Sequence, residues 1–279
     1  MIIVKLQGGL GNQMFQYAAA RSLSKSGKVY FDFAFLLQNN TTTESFTARQ
    51  FELGIFEQLN TRIASKYFIR LIKSKRNILK GISPRYEEVN DENFLNILDT
   101  NSTNLYLDGY FQNPIYFQDL RTMLLKEFTF PKLSGYSKEI ELKIKQTKYP
   151  VAIHIRRGDY IKPEIQNYHG ILTLNYYKQS IENIKSKIEN PIFYIFSDDT
   201  EWCENNLSFI HNKKIISGTT QAWEDMYLIS RCKHQIIANS SFSWWGAWLN
   251  PNPEKMVIAP KKWFNNIEST ILPAEWISL

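Results

Sequence analysis

The sequence predicts an α/β protein with two Rossmann-like halves, each built on a parallel sheet. Two observations carry that class. From Pro150 onward, short apolar runs alternate with helical segments, as βαβ crossovers do when they feed a parallel sheet. The N-terminus opens with a strand, a glycine loop, a helix and a second strand, a unit that brings a ligand to bare backbone at a helix start. A length of 279 residues accommodates two such halves or one large domain, each with a substantial core.

Residues 2–6 read as the first buried strand, followed by the loop Gly8-Gly9-Leu10-Gly11. A helical pattern then runs over 13–24, with Met14, Tyr17, Ala18 and Leu23 on one side, and Gly27 stops it. Residues 29–33 form the second strand. The glycines do not match the dinucleotide-binding spacing, so a tight turn is their plain alternative; the amides of Asn12 and Gln13 beside them favour a ligand-facing loop. Residues 39–45 are polar and Thr-rich, a loop over a cleft mouth. The pattern over 61–80 is helical, with Arg62, Lys66, Arg70 and Lys73 on one stripe. Such a stripe suits peripheral docking on anionic lipid, although a solvated helix face is the commoner explanation.

Residues 105–111 read as a strand turning at Asp108-Gly109, and helices follow near 116–128 and 138–146. The boundary is placed in the 131–148 stretch, which gives halves of 1–148 and 149–279. Beyond it, strands are expected at 151–156, 192–196, 215–217, 235–238 and 256–259, and helices at 174–187, 201–206, 222–231 and 242–249. No repeat or low-complexity segment interrupts them.

Composition narrows the function. Thirty-three basic against 27 acidic residues give +6, too mild to argue for nucleic acid without a recognition motif, but suited to an anionic small substrate or an acidic membrane surface. Cys203 and Cys232 form neither a disulfide framework nor a metal-ligand spacing. With no signal peptide or transmembrane run, a cytoplasmic protein is expected, at most peripheral on the inner membrane. Nothing in the sequence fixes an oligomeric state.

The chemistry gathers at predicted strand ends. Two adjacent arginines after residues 150–155 cost several kcal/mol to bury unless an anion neutralises them. Their guanidinium forks match the oxyanions of a pyrophosphate. The plain alternative is a surface turn in which Arg157 and Asp159 pair in water, worth under about 1 kcal/mol. Asp198 and Asp199 read as metal ligands, as a helix cap, or as acceptors for a nucleoside; no second acidic cluster supports the metal. Ser240, Ser241 and Ser243 crowd the start of a helix, where hydroxyls and free N–H groups favour phosphate; simple N-capping by one of them is the alternative. The three clusters 154–159, 197–199 and 239–243 all fall at carboxyl ends of strands, where parallel sheets bind nucleotides.

His154-Ile-Arg156-Arg157-Gly158-Asp159 resembles the His-x-Arg-Arg-x-Asp motif of α-1,2- and α-1,6-fucosyltransferases. Gly8-Gly-Leu-Gly-Asn-Gln-Met-Phe-Gln-Tyr-Ala18, Phe196-Ser-Asp-Asp199 and Asn239-Ser-Ser-Phe-Ser-Trp-Trp-Gly-Ala-Trp248 resemble glycosyltransferase family 11, the α-1,2 family. The resemblance implies a GT-B-like fold with the donor site in the C-terminal half and a galactoside acceptor facing the N-terminal half. It implies inverting transfer of fucose from GDP-β-L-fucose to a galactoside O2 in a bacterial glycan pathway, with no metal or other cofactor. Donor contacts would come from His154, Arg156, Arg157, Asp159, Ser197, Asp198, Asp199, Asn239, Ser240, Ser241 and Ser243. Arg156 would grip the β-phosphate and Arg157 brace the turn. His154 and one aspartate of the 198–199 pair would meet the nucleoside. Gly8, Gly9, Gly11, Asn12 and Gln13 would face the cleft. Glu164 and His169 are candidates for the base, with Asp32 and Asp108 as looser ones. Glu224 and Asp225 match an acidic pair of the family, which implies that they bind the nucleoside or arrange the site; a solvated helix face is their plain alternative. Trp244, Trp245 and Trp248, at helical spacing, read as core before sugar platform. The rival reading is a binding protein that keeps the fold without turnover.

Overall fold

The computed structural model describes residues 1–44, 46–73, 86–97 and 104–279. The chain forms two compact units, Met1–Thr129 and Phe130–Leu279. The first contains β1 (Ile2–Lys5), α1 (Leu10–Leu23), β2 (Val29–Asp32), α2 (Ala34–Gln38), β3 (Thr61–Ile63), α3 (Lys66–Lys73), β4 (Tyr86–Val89), α4 (Phe94–Ile97), β5 (Asn104–Leu107) and α5 (Arg121–Glu127). Its sheet runs β3-β2-β1-β5-β4 with every neighbouring pair parallel. Strands covered on both faces read as continuous apolar runs, and Ile2, Ile3 and Val4 are accordingly all buried.

Three sequence expectations shift here. α1 starts at Leu10, three residues before the predicted start. Gly8, at φ +75°, makes the turn, and Gly11 already lies inside a helix buried on nearly every side. Residues 61–63, expected to be helical, form an edge strand parallel to residues 29–31; α3 follows, and residues 74–80 of the expected helix lie outside the described residues. The helix expected over 116–128 breaks into 3₁₀ turns at Pro114–Tyr116 and Gln118–Leu120 before α5, because Pro114 fixes the first turn.

The second unit contains α6 (Gly135–Gln146), β6 (Pro150–Ile155), α7 (Pro163–His169), α8 (Leu174–Lys185), β7 (Ile192–Ser197), α9 (Thr200–Asn206), β8 (Lys213–Ile216), α10 (Ala222–Arg231), β9 (His234–Ile236), α11 (Ser241–Trp248), β10 (Val257–Ala259) and β11 (Ile277–Ser278). Its all-parallel order is β11-β10-β9-β6-β7-β8. The chain starts in the middle at β6, winds outward to β8, then returns to β9 and winds the other way. A doubly wound sheet of this order opens a crevice where the winding reverses, between the carboxyl ends of β6 and β9.

Alternation along β6 divides two cores. Val151, Ile153 and Ile155 pack with Ile181 and Ile184 of α8 and Cys203 of α9. Ala152 faces the other way, with Phe196, Ile140 and Ile144 of α6, and Leu228 and Ile229 of α10. Each fully buried side chain of this size stabilises the fold by about 1.5–3 kcal/mol. The unit boundary follows from the second core. α6 is committed to it by Ile140 and Ile144, and Tyr227 donates to Glu141 Oε1 at 2.7 Å, so the division falls before α6 and not at residue 148. Trp244 and Trp245 are fully buried, and Trp248 nearly so. Trp244 also donates through Nε1 to the Ile271 carbonyl at 2.7 Å, so these rings build the core. A Cβ on Gly246 would stand 2.7 Å from Ile229 Cγ2; only glycine lets α11 approach α10 so closely.

Candidate active site

The carboxyl end of β6 presents both arginines to neighbouring strands. β7 pairs with β6 from Pro150↔Ile192 to Ile155↔Ser197, so the turn after β7 lies beside the turn after β6. There Arg156 Nη1 meets Asp198 Oδ2 at 2.7 Å, and Arg157 Nε meets Asp199 Oδ2 at 3.1 Å. The Arg157 backbone N–H also donates to Asp198 Oδ1 at 2.9 Å. Each guanidinium lies over a ring: Arg156 over Tyr160 at 5.5 Å and Arg157 over Trp202 at 4.2 Å. Arg157 therefore pairs across strands with Asp199; the Asp159 side chain, its partner in the plain reading, lies outside the described residues. Both carboxylates are matched by guanidinium. Asp199 additionally caps α9, its Oδ1 accepting from the Trp202 N–H at 3.0 Å. Ser197 accepts the Asp199 N–H at 3.0 Å, so its hydroxyl shapes this turn. Gly158 is required for the approach, since a Cβ there would stand 2.5 Å from Asp198 Oδ2.

His154 shares the face of Ala152, under α10 and α11, and its ring lies 5.5 Å from that of Phe242. Burial holds its imidazole down at about 4; Arg156 pushes the same way and Asp198 opposes. It is neutral at pH 7, and its buried Nδ1 has no hydrogen-bond partner. On the same side of the sheet, Glu224 and Asp225 stand in the first turn of α10 with different roles. Glu224 closes a capping box with Gln221, its carboxylate accepting the Thr220 and Gln221 N–H groups at 2.8 and 3.2 Å. Burial pushes Asp225 up to about 7, with Glu224 pushing the same way against a hydrogen bond to Thr219; Asp225 Oδ1 is buried without a partner. An unsatisfied buried polar atom costs about 1–3 kcal/mol. Two of them on one side of the carboxyl end of the sheet are what a ligand's complementary donors and acceptors would satisfy.

The loop after β9 differs in part from expectation. Asn239 is buried, and its Nδ2 donates to the carbonyls of His169 at 2.6 Å and Trp263 at 3.3 Å, so it cross-ties the chain. Ser240 occupies the N-cap of α11 without a side-chain capping bond, and Ser243 is buried with its hydroxyl turned back toward the Ala238 and Ser240 carbonyls. Capping therefore does not account for these serines. Ser240 and the half-buried Ser241 stand at the helix start, the partial positive end of its dipole.

α7 continues directly from the arginine turn. Glu164 stands exposed in its first turn. His169 closes the helix, its ring stacked on Tyr160 at 4.7 Å and flanked by Tyr168 and Phe264. Tyr160, whose hydroxyl donates to the Asn239 carbonyl at 3.1 Å, thus stands in contact with both Arg156 and His169. Sequence reading assigned no role to Tyr160 or Trp202. Tyr160 lies four residues after Arg156, a spacing that a search for a ring beneath a guanidinium would have found; Trp202 pairs with Arg157 only through strand order.

In the first unit, the glycine loop is a framework. Gln13 is buried, its Nε2 donating to the carbonyls of Gly8 at 2.8 Å and Gln50 at 2.7 Å while its Oε1 accepts the Glu52 N–H. Asn12 accepts from Gln112 at 2.8 Å. Gly9 lies against Arg49 and Glu52, and Gly11 inside α1. These amides brace the loop, which corrects the expectation that Gln13 faces a ligand. Asp32 receives the Tyr106 hydroxyl at 2.7 Å and the Ala34 N–H at 2.8 Å, and Asp108 pairs with Lys5, so both looser base candidates are committed to structure. A cavity of about 830 Å³ opens at the carboxyl ends of β2 and β3, lined among others by Phe33, Arg49, Phe51, Ile63 and Lys66.

Two parallel α/β units, the second doubly wound, give the chain a fold of the GT-B type. The fold is shared with fucosyltransferase NodZ from Bradyrhizobium, at a TM-score of 0.51 and 11% identity over 90% of this chain and 93% of that one. The model of glycosyl transferase family 11 matches residues 1–279, and the chain belongs to that family. It is similar to the O-antigen biosynthesis glycosyltransferase WbnK of Escherichia coli, 34% identical over 98% of this chain and 99% of the relative. It is also similar to an alpha-1,2-colitosyltransferase of Escherichia coli, 33% identical over 100% and 99%. Among the described residues no helix is long and apolar enough to cross a membrane.

Proposed function

We propose that this glycosyltransferase moves L-fucose from GDP-β-L-fucose to O2 of a terminal galactoside, with inversion and without a metal, in the synthesis of a bacterial surface glycan such as lipopolysaccharide or capsule. The observation that carries the reading is the pair of adjacent guanidinium groups at the winding reversal, each aimed by a carboxylate of the neighbouring turn. As the bond from C1 to the diphosphate oxygen breaks, charge grows on GDP. Arg156 and the start of α11 stabilise it, a role commonly worth about 3–4 kcal/mol. Asp198 and Asp199 hold the forks in place. Neutral His154 and Asp225, with their unmatched buried atoms, suit the donors and acceptors of a guanine edge.

The acceptor hydroxyl loses its proton as the new bond forms, and Glu164 is the better placed base, because it stands in water at the start of α7 while His169 is packed among three rings. The acceptor is assigned to the first unit, whose aromatic-walled cavity beside the glycine loop supports that assignment. A second donor is favoured by the alpha-1,2-colitosyltransferase relative: colitose, the 3-deoxy counterpart of L-fucose. The deciding assay offers GDP-fucose and GDP-colitose separately with a panel of galactosides, measuring GDP release and product linkage. Release only with GDP-colitose replaces the fucose reading. Binding of GDP with no release from either donor replaces catalysis with binding.

A further inference from the structure

We propose that Tyr160 is a positioning residue of the transfer step, holding the Arg156 guanidinium and the start of α11 in one frame. A single 3₁₀ turn, Asp159–Ile161, follows the arginines, and the Ile161 N–H donates to the Arg157 carbonyl at 3.0 Å. This turn folds the chain back on itself, so that position 160 returns to position 156. Ile161 is left 54% exposed, whereas Tyr160 is turned inward to 8%. The Tyr160 ring then meets two side chains. The Arg156 guanidinium lies over it at 5.5 Å, and the His169 imidazole stacks on it at 4.7 Å, 17° from parallel.

The hydroxyl adds a link that a phenylalanine could not make. It donates to the Asn239 carbonyl at 3.1 Å, from the turn after β6 to the loop after β9. Asn239 returns the link, its Nδ2 donating to the His169 carbonyl at 2.6 Å. The next residue, Ser240, is the N-cap of α11. One side chain therefore joins the two sides of the winding reversal, each of which carries a group assigned to the diphosphate. Asp198 holds Arg156 through Nη1, and an aromatic ring against the guanidinium constrains its plane as well. Such constraint matters, because a misplacement of about 1 Å at a reacting centre can cost about 10²-fold in rate. Packing alone would be served by a phenylalanine, with no hydroxyl aimed across the reversal. The inference rests on the reading of Arg156 as the group that holds the β-phosphate.

The test is calorimetric titration of the full chain with GDP and with GMP, which lacks the β-phosphate. Tyr160→Leu is expected to weaken GDP binding about 10-fold, the scale of a partly desolvated cation–π contact, and to leave GMP within about twofold. Tyr160→Phe keeps the ring and gives up the link; it should weaken GDP about threefold, with the same indifference to GMP. Made on Arg156→Ala, either substitution should cost no further GDP affinity, because the group it positions is gone. A role in the scaffold alone would lower GMP and GDP together. Equal losses for the two nucleotides, an unchanged GDP affinity in either variant, or a loss that persists on Arg156→Ala overturns the proposal. If Tyr160→Leu melts below the working temperature, Tyr160→Phe in the same two backgrounds decides. A parent chain that binds GDP no more tightly than GMP would instead refute the reading of Arg156 on which the inference stands.

Discussion

A single methyl group at Gly158 tests how the arginine turn is held. The Cβ of Gly158→Ala would stand 2.5 Å from Asp198 Oδ2 and 3.0 Å from its Cγ, so the carboxylate must move. Moving it breaks the 2.9 Å bond from the Arg157 N–H, a bond to a charged acceptor worth about 1.5–3 kcal/mol. It also loosens the ion pair with Arg156, which at 23% and 26% side-chain exposure contributes under about 1 kcal/mol after solvent screening. The expected loss is about 2 kcal/mol, or about 4–8 °C in melting temperature for a unit of this size. GDP affinity should fall with it, because Arg156 loses the group that aims it. The measurement is a double-mutant cycle by thermal melting and GDP titration, with Gly158→Ala made alone and on Asp198→Ala. In the second background the clash has no partner, so the methyl should cost almost nothing. If Gly158→Ala costs the same in both backgrounds, the glycine is not there for Asp198 and the account of the turn fails.

Arg156→Ala should cut GDP release about 10²–10³-fold, while the melting temperature drops by no more than about 4 °C; an unchanged rate would remove Arg156 from the reaction. Glu164→Gln should lower transfer about 10²–10⁴-fold with GDP binding intact, and His169→Gln far less; the reverse ranking in initial rates would make His169 the base. The two buried titratable groups give stability slopes of opposite sign. Asp225, raised to about 7, keeps its proton in the fold and loses it when unfolded, so its stability contribution is lost as pH rises from about 4 to 7. Asp225→Asn should therefore gain on the parent across that window in urea melts. His154, lowered to about 4, contributes stability that is lost as pH falls from about 6.5 to 4, so His154→Phe should gain on the parent in the acid direction. Equal or absent slopes refute the burial argument. Activity should survive EDTA in the GDP-release assay, and a requirement for added Mn²⁺ would overturn the metal-free scheme.

The class of fold was legible because parallel strands covered on both faces must be apolar throughout, and Ile2-Ile3-Val4, residues 151–155 and residues 192–196 announce themselves on that ground alone. α10 was read to the residue, since an acidic first turn and a basic last turn bracket its apolar face. The reading failed where a long-range partner decides. Residues 61–63 carry a helical spacing but take a strand because β2 offers them an edge, and Asn239 carries the chemistry of a ligand contact but is used up on three backbone carbonyls. What the sequence by itself determined was which chemical groups stand at which strand ends, because that depends only on local pattern. Strand order alone put the turn after β7 against the turn after β6 and the start of α11 across the reversal, so that Asp198, Asp199 and Trp202 could fix two arginines. Pairing between strands is set by the packing of helices on both faces of the sheet, and no local run of residues encodes it.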